Sequence, residues 1–131
     1  SGFISPLGGC LLGLAGSVVC FFAVEAVKHR LKIDDTLDVF AVHGLGGILG
    51  TLLVAILAHP SLQGAGYAEG GTAMTQLVTQ LIGVVAVVAW SVLVTACLVA
   101  GIKAAIGLRA APDDIEEGLD LTSHGERSYT L

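Results

Sequence analysis

The sequence predicts an all-α membrane protein: three transmembrane helices followed by a cytoplasmic tail. Three observations predict it. Hydrophobic residues make up 54% of the 131 residues and charged residues only 13%. The apolar residues gather into three long charge-free runs, which in so short a chain leave nothing to cover them in water. Glycine is common, at 18 residues, as it is where helices approach closely within lipid.

The first span is expected over about residues 5–27. Pro6 to Val24 carries no charge, and the apolar character persists past Glu25 to Val27. Ser5, Gly9, Gly13 and Ser17 recur at i, i+4 and form a ridge of small residues, the kind of face that neighbouring helices use in lipid. Lys28, His29, Arg30 and Lys32 then mark a polar loop.

The second span is expected over about residues 38–58. Asp34, Asp35 and Asp38 stand at its start, and Asp35 or Asp38 is expected to cap the free N–H groups there and to meet the positive end of the helix dipole. Val39 to Ala58 is otherwise apolar apart from one polar ring, His43. Gly46 and Gly50 make a GxxxG. Gly47, Thr51 and Ala55 continue a ridge from His43, so Gly46, Gly47 and Gly50 are expected to be helix-packing positions.

The third span is expected over about residues 76–103, around the charge-free run Leu77 to Ile102. At 1.5 Å per residue all three can cross a hydrocarbon core of roughly 30 Å, the third with tilt or an extension into water. Trp90 lies mid-span rather than in an interfacial belt, which favours helix packing. His29 and His59 sit at span ends and read as interfacial.

The tail is expected over about residues 108–131; from Ala110 onward it carries six acids against Arg127, and that net charge of −5 accounts for that of the whole chain. Such a composition usually means a solvated end. Here Gly118, Gly125, two leucines and Tyr129 punctuate the charges, and a segment that docks is expected. Lysine and arginine fix the orientation: the first loop and the tail side carry them, and the glycine-rich loop 59–74 has none. By the positive-inside rule the N-terminus faces out and the C-terminus in. The start, "SGFISPLGG", lacks a methionine and a basic n-region, and reads as part of a longer protein.

Several chemistries find no support. Cys10, Cys20 and Cys97 lie in apolar runs without a CxxC, and the first two would be about 15 Å apart on one helix, so buried small residues are the expectation. Neither glycine cluster spells GxGxxG or a P-loop. No nucleophile elbow, ordered triad or zinc spacing occurs. No metal, cofactor, nucleic-acid partner or enzymatic activity is expected.

His43 remains. An ionised side chain deep in a bilayer costs on the order of 3 kcal/mol or more. Desolvation disfavours the charged form of an imidazole, which then still offers one donor and one acceptor that lipid cannot satisfy. Such a residue faces a bundle interior or a water-containing path. The alternative is a packing histidine bonded to a carbonyl or hydroxyl.

At this point a resemblance enters. "DDTLDVFAVHGLGG" resembles the Asp-rich entry and "DVFGVHGVGG" core of the ammonium transporters, the Amt/Mep/Rh family. "GLDLTSHGERSY" is similar to that family's C-terminal "GLD…HGE.AY" pattern, and the span spacing and the loop "GAGYAEGG" also fit. Ala41 and Ser128 depart from it, standing where glycine and alanine are common.

The resemblance implies a bundle of about eleven spans, of which this chain is the C-terminal portion. It implies a trimer in the full-length protein, ammonium or ammonia as substrate, and a pore within each subunit holding two hydrogen-bonded histidines. His43 matches the second. The first histidine, the aromatic gate and the outer site would lie upstream. Gly118, Asp120, Thr122, His124, Gly125 and Tyr129 fall in the tail motif, where the resemblance implies regulation and a neighbouring site for a P-II signalling protein. Two other readings stay open: an ammonium sensor or membrane anchor whose tail binds a partner, and a proton-relay subunit of a membrane enzyme.

Overall fold

The computed structural model describes residues 2–126, and among them the ordered elements are helical. Tyr129, named above with the tail motif, lies outside the described residues. Three helices have the length and apolarity to cross a membrane: α1 over Pro6–Arg30, α2 over Val39–Leu57 and α3 over Ala73–Ala105. Two short helices follow, α4 over Pro112–Glu117 and α5 over Leu119–His124. By contact the chain forms one compact unit up to Ala89 and a second from Trp90 onward.

The start of α1 is written in its sequence. Ser5 is the N-cap, and its Oγ accepts the N–H of Gly8 at 3.1 Å. Pro6 follows at the first helical position, where its missing N–H costs nothing. The helix continues past the expected end near residue 27 because Lys28, His29 and Arg30 end an apolar run without ending a hydrogen-bond ladder. Its last turn, Ala26–Arg30, is a wider π-type turn.

Where α1 packs on α2, small atoms set the spacing. A Cβ added to Gly46 would lie 3.0 Å from Cys20 Sγ, and one added to Gly8 would lie 3.9 Å from Leu57 Cβ. These pairings join the start of α1 to the end of α2, so the two run antiparallel. Val27, Ala41, Ala55 and Ala58 are the buried apolar residues. Gly9 and Gly13 of the predicted ridge have open space beside them. These two positions face away from the α1–α2 contact, whereas Ser5 of the same ridge is buried.

The loop after α2 is tied back onto the helix end. Tyr67 Oη donates to Ala55 O at 2.7 Å, Gly66 N donates to Ala58 O at 2.8 Å, and Ala65 N donates to Phe3 O at 2.9 Å. Gly64 is required here, since a Cβ on it would collide with the Ala58 backbone. His59 Nδ1 accepts the N–H of Ser61, which starts the 3-10 turn Pro60–Leu62.

α3 begins before its apolar run does. Thr75 N donates to Thr72 Oγ1 at 3.2 Å and Thr72 N donates to Thr75 Oγ1 at 2.8 Å, a reciprocal cap that sets the start at Ala73. Thirty-three residues make roughly 50 Å of helix, well beyond a 30 Å hydrocarbon core. Trp90, expected to pack on a helix, is 69% exposed. Contiguous apolar surface of this extent belongs in lipid or against further protein, not in water.

Candidate functional site

The site is built at the entry to α2. Asp38 N donates to Asp35 O at 3.1 Å, which turns the chain back under the helix end. Asp35 Oδ1 then accepts the N–H of Val39 at 2.8 Å, and Oδ2 accepts those of Phe40 and Ala41 at 3.0 and 3.1 Å. One carboxylate thus satisfies three of the N–H groups that a helix start leaves free.

Asp38 departs from the expectation that it would share the capping. Its backbone is left-handed, at φ 56° and ψ 27°, and its side chain makes no cap bond. Its Oδ1 lies 2.8 Å from Lys28 Nζ, close in distance but bent away from hydrogen-bond geometry. The left-handed turn carries the carboxylate off the helix axis and towards the end of α1. A half-buried pair without hydrogen-bond geometry contributes at most about 1 kcal/mol. Its use is to tie α1 to the entry of α2.

The first seven residues of α2, Val39–Leu45, form a wide π-type helix rather than a regular one. Wide turns of this kind occur often at functional sites. His43 lies inside this segment. Its ring is exposed and makes no hydrogen bond among the described residues. Beneath the wide turn, the Cys20 thiol approaches Val42 O at 3.8 Å, a weak contact between α1 and α2.

Gly47 and Thr51 follow His43 by one and two turns and are also exposed. The Thr51 hydroxyl donates to Gly47 O at 2.9 Å and is locally satisfied. Ala55, expected on the same ridge, is fully buried instead. Each i+4 step drifts about 40° around a helix of 3.6 residues per turn, so three steps move a residue to another face. Of the three glycines expected to pack, Gly46 meets α1, whereas Gly47 and Gly50 have nothing within 4 Å. His43, Gly47 and Thr51 therefore form an open strip, bounded by the face that α1 occupies.

In the tail, Gly118 at φ 102° separates α4 from α5, and Gly125 at φ 65° ends α5. Thr122 Oγ1 donates to Gly118 O at 3.2 Å. Asp120 lies in the first turn of α5 and His124 in its last. His43 and the tail residues belong to different compact units. Among the described residues no group of three His, Cys, Asp or Glu side chains is placed to hold a metal ion.

Hydropathy could not have found the wide turn, because period counting assumes a uniform helix. The Tyr67 clasp on Ala55 was also missed; its one signal was an aromatic residue set among glycines in a loop.

Three membrane-length apolar helices, with an unpartnered imidazole on an open strip of one of them, define a multi-span helical membrane protein. Residues 1–129 match the sequence pattern of the Ammonium Transporter Family, and the chain belongs to that family. It is 40% identical over 131 residues to the ammonium transporter Amt1 of Archaeoglobus fulgidus, covering 99% of this chain and 33% of that protein. It is 36% identical to an ammonium transporter of Aquifex aeolicus, covering 100% of this chain and 30% of that one. With an ammonium transporter of Bacillus subtilis the identity is 33%, over 98% of this chain and 32% of the relative. The chain thus spans about a third of the length of the curated relatives it matches. The family is one of transporters rather than enzymes.

Proposed function

We propose that this chain is the C-terminal portion of an ammonium transporter and that His43 faces its substrate path. The observation that carries the reading is the His43 ring: polar, exposed and free of hydrogen bonds among the described residues, on a helix otherwise built for lipid. Family membership supplies the substrate class. The other histidine of the pair would come from a span outside this chain, within a bundle of about eleven spans that assembles as a trimer. The lysines and arginines of the first loop and the tail side support an orientation with the N-terminus of α1 outside and the tail in the cytoplasm.

The chemistry follows from the cargo. Carrying a bare cation into a low-dielectric pore has an idealised cost of order 20 kcal/mol. Removing a proton leaves neutral ammonia, for which that cost largely disappears. A neutral imidazole can accept an N–H from ammonia or pass a proton on, and it offers a potassium ion no equivalent route. Discrimination is then chemical, where ionic size alone would fail.

The test is uptake by the full-length protein carrying His43→Ala. Loss of ammonium uptake, or of its selectivity over potassium, supports the reading. Parent-level uptake and selectivity would reduce His43 to a packing residue. The two-helix tail is proposed as a regulatory segment, with Thr122 as a phosphorylation position and a P-II signalling protein as partner at the cytoplasmic face.

A further inference from the structure

We propose that His59 is a proton-sensitive latch on the loop between α2 and α3. Its bare Nδ1 holds the loop closed against the ends of α1 and α2, and a proton taken up there releases it. The geometry fixes the state of the ring. Ser61 N donates to His59 Nδ1 at 3.1 Å, and Ser61 Oγ lies 2.7 Å from the same nitrogen. A backbone N–H can only donate, so Nδ1 carries no hydrogen and the ring proton sits on Nε2. Protonation from the adjoining water places a hydrogen on Nδ1 and leaves an imidazolium. The Ser61 hydroxyl adjusts by turning from donor to acceptor, but the Ser61 N–H cannot. It is left facing another N–H, and the 3-10 turn Pro60–Leu62 loses its N-cap.

That turn decides where the next residues go. Leu62 N and Gly64 N both donate to His59 O, at 2.9 and 3.2 Å, which folds the chain back on itself. The reversal brings Ala65 to Phe3 O, Gly66 to Ala58 O and Tyr67 to Ala55 O. Through these bonds the loop ties the lead-in of α1 to the last turn of α2. Tyr67 also sets its ring edge-on to the imidazole, with centroids 6.0 Å apart. Closing requires the bare ring, so the closed loop binds fewer protons than the open one and is favoured as pH rises. Histidine is the side chain that changes charge between about pH 5 and 8. The His59 ring is exposed among the described residues, where protons from water reach it. The other titratable side chains of the loop are Tyr67 and Glu69, and the adjoining ends of α1, α2 and α3 carry no charged residue. Among the described residues no carboxylate or cation lies at ion-pair distance from His59. Under the orientation proposed above, the latch reads the pH outside the cell.

The experiment follows amide hydrogen exchange over residues 61–67 of the full-length protein between about pH 5 and 8. Each rate is divided by the intrinsic rate of an unprotected amide at the same pH. Protection in the parent is expected to fall by roughly three- to tenfold from the upper end of that range to the lower. His59→Asn keeps an accepting N-cap that does not titrate, and is expected to stay protected throughout. His59→Phe keeps a ring beside Tyr67 but has no acceptor, and is expected to exchange at every pH as the parent does at the lower end. Glu69→Gln is expected to retain the parent's fall. A parent profile that is flat in pH overturns the latch, as does an equal fall in His59→Asn. Loss of the fall in Glu69→Gln would assign the titration to Glu69 and overturn it too. Should His59→Phe fail to reach the membrane, the parent and His59→Asn decide the matter between them.

Discussion

At His43 the proposed chemistry rests on the contrast between the ring and its neighbours. An imidazole stripped of water keeps a donor and an acceptor in want of partners, and within the described residues it has none. Replacing it with alanine is expected to abolish selective ammonium uptake, since no other side chain on the open strip can take up a proton. His43→Glu retains a proton acceptor and is expected to keep part of the flux with weaker exclusion of potassium. Paired uptake of methylammonium and rubidium would measure both effects. A glutamate variant as inert as the alanine one would show that shape matters beyond proton acceptance. The histidine was legible as soon as the apolar run was counted. The division of labour between Asp35 and Asp38 was not, because it depends on one left-handed backbone angle at a residue other than glycine. Sequence position alone made them equivalent.

At the scale of elements, hydropathy located the three long helices because a run of apolar residues is a one-dimensional quantity. Their ends were less legible. They depend on Ser5 and on the Thr72–Thr75 pair, which hardly alter a hydropathy average, and on a basic last turn that ends the apolar run without ending the helix. Which face of each helix meets its neighbour was less legible still, because glycines at 8, 9, 13 and 16 offer two competing ridges. The structure uses Gly8 and Cys20, and leaves Gly9 and Gly13 open. The α1–α2 contact yields a paired prediction. Gly46→Leu drives a side chain into Cys20 Sγ and is expected to destabilise the helix pair by about 1–3 kcal/mol. A Cβ on Gly47 meets nothing within 4 Å among the described residues, so Gly47→Leu is expected to unfold thermally no earlier than the parent here. In the full-length protein the same change should block flux, because Gly47 lies one turn from His43 on the open strip. Melting of both variants in detergent, beside uptake by the full-length forms, separates packing from path. Equal melting losses for the two glycines would refute the assignment of faces.

On the scale of the whole chain, three helices with one imidazole inside an apolar run, His43, are too few to enclose a path. These residues alone are expected to insert into liposomes and conduct no ammonium, and stopped-flow pH measurements on such vesicles would check it. The tail gives the last expectation. Its two short helices turn about Gly118, and the Thr122 hydroxyl is exposed while donating to the Gly118 carbonyl. A phosphate on Thr122 would remove that donor and add about −1.5 to −2 charge to a segment that already holds Asp113, Asp114, Glu116, Glu117 and Asp120. Both changes act on the bend between α4 and α5, where Gly118 N also donates to Asp114 O at 3.0 Å. Thr122→Asp copies part of the charge and loses the hydroxyl. It is expected to lower transport severalfold in the full-length protein without lowering the amount in the membrane. Thr122→Val loses the hydroxyl and adds no charge, so it tells which of the two matters. Uptake rates normalised to membrane protein are the measurement, with a deletion from Asp113 onward as reference. If Thr122→Asp and the deletion both transport at the parent rate, the tail is a solvated end and its helices have no regulatory consequence.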